Sequence, residues 1–146
     1  MNLKGKQLVA TKFNRRTFHD ANLDAITITT KRSSSQVRVA LTIYAGRKSR
    51  KVTVILDGCR NIALNLDVDV LRDNSCGQTD YCEADASRRS VEQLVLGQRG
   101  KLNIGYHPDL VHPQDKKLEE IHSLIVFRFI FFGGVMEVVA NKFQCR

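Results

Sequence analysis

Residues 124–140 read LIVFRFIFFGGVMEVVA, the most apolar stretch of the chain, and two structures compete for it. A membrane helix needs roughly 20 clean apolar residues. This run is shorter and contains Arg128, Glu137 and a Gly133-Gly134 break. It therefore reads as two core strands, LIVFRFIFF and VMEVVANKF, flanking a glycine pair that accepts the positive φ values of a tight hairpin turn. Apolar residues on both faces imply burial on two sides, or burial against a helix.

Upstream, period-2 alternation dominates, as half-buried antiparallel strands require. DAITITT sets Ile26 and Ile28 against Thr27 and Thr29, and QVRVALTIYA sets Val37, Val39, Leu41 and Ile43 inward against Arg38, Thr42 and Tyr44. The polar KRSSS between them reads as a hairpin turn. A third strand, KVTVIL (51–56), follows the basic loop GRKSR, and Asp57-Gly58 ends it. CRNIALNLDVDVLRDN (59–74) alternates as a fourth strand with Asn65, Asp67 and Asp69 on its outer face. NSCGQTD (74–80) is loop, and the signal from Tyr81 to Ser90 is poor. A short strand and a turn of helix around Val91, Leu94 and Val95 both remain open there. GKLNIGY (100–106) reads as a strand, and PQDKKLEEIHSL carries Leu118, Ile121 and Leu124 at helical spacing. The expected fold is a single domain over 1–146, mainly β (α+β): an antiparallel meander of about seven strands, one short helix near 114–122 and a C-terminal hairpin.

At 146 residues, 42% hydrophobic with two prolines, the chain can bury one core without disulfide or metal support. No apolar run long enough for a secretion signal follows Lys4 and Lys6 in MNLKGKQLVATKF, so a cytoplasmic location is the expectation. In that reducing setting Cys59, Cys76, Cys82 and Cys145 are expected as free thiols. The net charge of +8 is uneven. Residues 1–50 hold eleven Lys and Arg against two Asp, a net of +9, and residues 51–146 hold twelve basic against thirteen acidic, a net of −1. Such an excess favours polyanions or acidic protein surfaces.

The chemistry-bearing groups are few. His19-Asp20 is the pair that metal-dependent HD hydrolases use, but those enzymes need further ligands on neighbouring helices, and here an alternating run follows. The simpler reading is a turn in which Asp20 or Asn22 bonds the backbone before the first strand. Cys76, Cys82, His107 and His112 have zinc-binding residue types, yet the C-x5-C spacing is too wide for a usual knuckle. Asp67 and Asp69 read as a solvated face with Arg38 as partner. None of the phosphate-loop, dinucleotide, nucleophile-elbow or zincin motifs occurs. The basic end is the better signal: Arg15, Arg16, Lys31, Arg32, Arg47, Lys48 and Arg50 are the candidate partner-binding residues, with Lys4, Lys6, Lys12 and Lys51 nearby. Phe13 and Phe18 are interleaved with them, a pattern that can grip phosphates and stack bases.

The order FHDANLDAITI, VRVALTIYA, VTVILDGCRNIALNLD, DNSCGQTD and HSLIVFRFIFFGGVMEVVANKF resembles small bacterial β-rich proteins of unknown activity that include predicted immunity proteins of polymorphic-toxin systems. In these, an HD-[AS]-x-L opening leads into a strand meander, an F-x-G-[CV] step follows and a hydrophobic hairpin closes the domain. The resemblance spans the chain except residues 81–115. Two features depart from it: Leu56 stands where an aromatic is usual, and the chain is basic where inhibitors of nuclease toxins are acidic. The resemblance implies a non-catalytic protein, without metal or cofactor, that blocks a partner bearing an acidic surface, such as a cognate toxin. Nucleic-acid binding through the basic half is the alternative, and a metal-dependent hydrolase the second alternative.

Overall fold

A computed structural model describes residues 3–16, 18–32, 35–71, 78–87, 89–91 and 124–146. Its elements are α1 (Leu3–Asn14), β1 (Asn22–Thr30), β2 (Ser35–Ala45), β3 (Lys48–Asp57), β4 (Asn61–Leu66), α2 (Val68–Leu71), β5 (Thr79–Asp85), β6 (Ile125–Phe131), β7 (Gly134–Ala140) and β8 (Lys142–Cys145). The fold is mainly β and antiparallel, as expected, with eight strands among the described residues against the expected number of about seven, divided between two four-stranded sheets ordered β1-β2-β3-β8 and β4-β7-β6-β5. The helix expected near 114–122 and the strand expected at 100–106 lie outside the described residues.

The stretch 124–140 forms a hairpin, with Phe131 opposite Gly134 and a two-residue turn at Phe132-Gly133. Of the glycine pair, Gly134 carries the positive φ, 147°. A Cβ there would lie 2.2 Å from the Asn65 carbonyl oxygen, so β4 can approach β7 only because residue 134 is glycine. β6 is buried on both faces. Ile125, Phe127, Phe129 and Phe131 enter the main core, while Val126 packs with Val91, Leu124 and Val139 on the outer face. Arg128 lies between Glu137, at 2.8 Å, and Glu83, tying β7, β6 and β5 in register.

Two long hairpin arms change sheets at one corner. β3 passes into β4 at Gly58 (φ 68°), and β7 passes into β8 at Asn141. Hydrogen bonds continue through the bend, from Asn141 N–H to Asp57 O (3.0 Å) and from Arg60 N–H to Val139 O (2.8 Å). Strands that bend from one sheet into the other are the usual way to fold a sheet over its own core. Val37, Val39, Leu41, Val54 and Leu56 face Phe127, Phe129, Met136 and Val138 in one cluster.

The expected fourth strand is shorter than its pattern. β4 stops at Leu66, and Asp69 lies in α2, so Asp67 and Asp69 share no strand face. Asp67 N–H is held by Gly133 O and Leu71 N–H by Asp67 O, so the chain turns into a helix where the alternation seemed to continue. Arg38 does not serve the role expected of it either; its Nε donates to Gln36 Oε1 at 2.7 Å. Of the ambiguous segment from Tyr81, the part up to Asp85 is in β5 and residues 89–91 are helical, while Leu94 and Val95 lie outside the described residues.

α1 was not expected. Its buried stripe is Lys6, Ala10 and Phe13, at helical spacing, with Leu8 left exposed. Burial lowers the pKa of Lys6, and Asp85 opposes that shift. Phe13 is the plug: its ring centroid lies 5.1 Å from Phe127, 5.7 Å from Phe129, 5.1 Å from Phe143 and 5.9 Å from Phe18.

Candidate functional site: a basic groove between α1 and β8

His19-Asp20 is a structural turn. Asp20 takes φ 60°, which a short polar side chain tolerates better than most residues. The turn is fastened to the start of β5: Asp20 N–H donates to Thr79 O (3.0 Å), Thr79 N–H to Ala21 O (2.8 Å), and the Thr79 hydroxyl accepts from Ala21 N–H (3.2 Å) and donates to Phe18 O. Asn22 forms a bridge with Gln78, so this turn joins the edges of the two sheets opposite the bent corner. β5 is irregular at this point, between Thr79 and Tyr81, and the Asp80 carbonyl there accepts from His19 Nδ1 at 3.0 Å. His19 Nε2 stands 3.6 Å from Asp20 Oδ2, and both side chains are exposed. Replacing His19 with alanine is expected to cost less than about 1 kcal/mol of stability in urea unfolding. Thr79→Val, which removes a buried hydroxyl serving two backbone groups, should cost about 1 to 3 kcal/mol, with Thr79→Ser closer to the native protein.

Among the described residues, no group of three or more His, Cys, Asp or Glu is placed to hold a metal ion. Of the zinc-type set, Cys76, His107 and His112 lie outside the described residues. Cys59, Cys82 and Cys145 are free. Burial pushes the Cys82 thiol up to about 12 and the Cys59 thiol up to about 11, the latter donating to Leu56 O. Their folded pKa values exceed the ordinary 9.0, so the stability they contribute is complete below about pH 9 and is lost as pH rises toward those values. Urea unfolding should show stability falling as pH rises above about 9 toward about 11, and Cys82→Ala should flatten that fall.

The seven basic candidates fall in three places. Lys31 and Arg32 follow β1, at the Gln36–Asp57 end of the first sheet, whereas Arg47, Lys48 and Arg50 sit at the Ala45–Lys48 turn, the opposite end. β2 separates the two ends by roughly 35 Å. Lys48 and Arg50 belong to β3 itself rather than to a loop. Arg15 and Arg16 lie just past α1 and are the pair built into a concavity.

That concavity is an open groove of about 590 Å³ lined by Val9, Lys12, Arg15, Arg16, Lys142, Phe143, Gln144 and Cys145. Four of these side chains are cations, none is acidic, and Val9 and Phe143 supply an apolar floor. Arg16 acts on Cys145, whose pKa burial raises and the guanidinium lowers in part. Lys142 was missed by the sequence reading because it is distant in the chain; only the β7-to-β8 bend brings it to α1. Phe13 and Phe18, read as stacking aromatics, are core residues. The exposed aromatic beside basic residues is Tyr44, near the β2–β3 turn.

Fold and groove together describe a mainly-β protein with a cation-lined cleft between α1 and β8. No family model, curated protein or solved structure matches the chain. No helix among the described residues is long and apolar enough to cross a membrane.

Proposed function

We propose that this is a non-catalytic binding protein whose α1–β8 groove receives an acidic surface of a protein partner, and that it acts as an immunity protein occluding a cognate toxin. The groove's lining of Lys12, Arg15, Arg16 and Lys142 without an acidic residue carries the reading. Cations gathered in one cleft repel each other and are relieved by an anionic partner, which also gains from electrostatic steering. The resemblance in sequence order supplies the biological role. The test is capture from the native host with the intact protein and a Lys12→Glu/Arg15→Glu/Arg16→Glu variant, followed by reconstitution from purified components. One acidic polypeptide retained only by the native protein, and forming a defined complex with it, is the expected result; recovery of nucleic acid alone contradicts it.

Nucleic-acid binding is the second reading, and one observation favours it: exposed Tyr44 stands opposite Ser49, which puts Lys51 on the same face of the sheet, with Arg47 in the adjoining turn, so a stacking ring has cations near it. It requires oligonucleotide affinity that falls steeply with salt. A flat anisotropy titration at low salt removes it.

A further inference from the structure

The groove runs along a strand edge rather than over a sheet face. Among the described residues β8 is the last strand of its sheet, and all four of its residues, Lys142 to Cys145, line the groove. A concavity over one face would meet alternate residues.

In an antiparallel pair, the backbone groups of successive residues point alternately toward the partner strand and away from it. Thr53 and Arg146 exchange both backbone bonds, at 2.8 and 3.0 Å, and Ile55 stands opposite Gln144 in the same register. The N–H and C=O of Gln144 are therefore directed at β3, and those of Phe143 and Cys145 at the groove. The other flank of α1 shows the contrast. There the edge of β5 is satisfied by the Asn14 carboxamide, whose Nδ2 donates to Ala84 O (3.1 Å) and whose Oδ1 accepts from Ala84 N–H (2.6 Å). Asn14 thus imitates a neighbouring strand on β5, and among the described residues no side chain does so on β8.

We infer that the groove takes an extended acidic segment of the partner as an added strand, paired to β8 through Phe143 and Cys145. This inference rests on the proposed reading of the groove as an acidic-partner site. Backbone pairing to a sheet edge supplies affinity, and side chains of the added strand supply selectivity. The four residues of β8 span about 13 Å, enough for two pairs of backbone bonds. Carboxylates of the segment meet Lys12, Arg15, Arg16 and Lys142, and its apolar residues meet Val9 and Phe143. Lysines along a sheet edge also discourage unwanted pairing, so a neutral strand is rejected where an acidic one is accepted.

The probe is a fluorescein-labelled eight-residue peptide of alternating glutamate and valine, in two N-methylated forms, one methylated on every glutamate and one on every valine. Strand addition aims only alternate N–H groups at β8. One methylated form should therefore bind the full-length protein like the parent peptide, and the other at least about tenfold more weakly. Cys145→Pro, which removes a groove-facing N–H and leaves the β3 bonds in place, should weaken the parent peptide by about tenfold. Equal affinity of the two methylated forms overturns strand addition. If that equality comes with a loss of binding in Arg15→Glu/Arg16→Glu, strand addition alone fails and the acidic-partner reading stands. If no form binds, or binding ignores the charge variant, both fail.

Discussion

Truncating Phe13 to alanine is expected to cost about 3 to 5 kcal/mol, a large part of the roughly 5 to 15 kcal/mol that holds a domain together. The side chain is fully buried and is the point where α1, both sheets and the Phe18 turn converge. Its edge-on contacts with Phe127, Phe129 and Phe143 add to the burial, each such pair contributing about 0.5 to 1.5 kcal/mol. Because α1 is a single helix of twelve residues, it has little stability apart from this packing. The groove should therefore weaken along with the fold. Chemical unfolding of Phe13→Ala in urea checks this; a loss below about 1 kcal/mol would show that α1 does not plug the core.

Reversing two charges in the groove should have the largest effect on binding. Arg15→Glu/Arg16→Glu places anions against an acidic partner where cations stood, and such like-charge juxtaposition costs several kcal/mol. Affinity for the acidic polypeptide captured from the host should fall by about 100-fold, close to 2.7 kcal/mol, with unfolding unchanged because neither side chain is buried. The same reversal at Lys31 and Arg32, or at Arg47 and Lys48, should change affinity by less than about threefold, since the first pair lies past β1, three strands across the sheet from β8, and the second at the end of the sheet away from β8. Isothermal calorimetry at one fixed salt concentration compares the three variants.

Strand periodicity made much of this fold legible. Val37, Val39 and Leu41 alternate with Arg38 and Ala40 and are all buried, and the apolar run at 124–140 is the central hairpin. Alternation misled where it outran the strand: Asp67, Val68, Asp69 and Val70 keep the period, yet the Gly133 carbonyl ends β4 and a short helix begins. α1 was hidden for a different reason. Its inward stripe includes Lys6 and its sequence contains Gly5, so the apolar spacing that marks an amphipathic helix is broken by a lysine that the fold buries near Asp85. β5 was obscured by its irregularity at Asp80, which interrupts the period while anchoring the His19-Asp20 turn.

Charge asymmetry singled out residues 1–50 and could not show which cations converge. Arg15 and Arg16 share a groove with Lys12, one helical turn earlier, and with Lys142, placed by a bend at Asn141 that nothing near residue 15 foretells. His19-Asp20 turned out to be the fastening between two sheet edges. Its neighbour Thr79, which supplies the hydroxyl of that fastening, carried no sequence signal because an isolated threonine at a loop end is ordinary.

On the proposed reading, an acidic partner binds in the α1–β8 groove. The direct test is a titration of the ¹⁵N-labelled full-length protein with the glutamate-valine peptide, followed residue by residue through its amide shifts. Shifts concentrated at Lys12, Arg15, Arg16 and Lys142 to Cys145, with Phe143 and Cys145 amides moving furthest, are the predicted result. Shifts confined to Lys31 and Arg32, or to the turn from Tyr44 to Arg50, would contradict it.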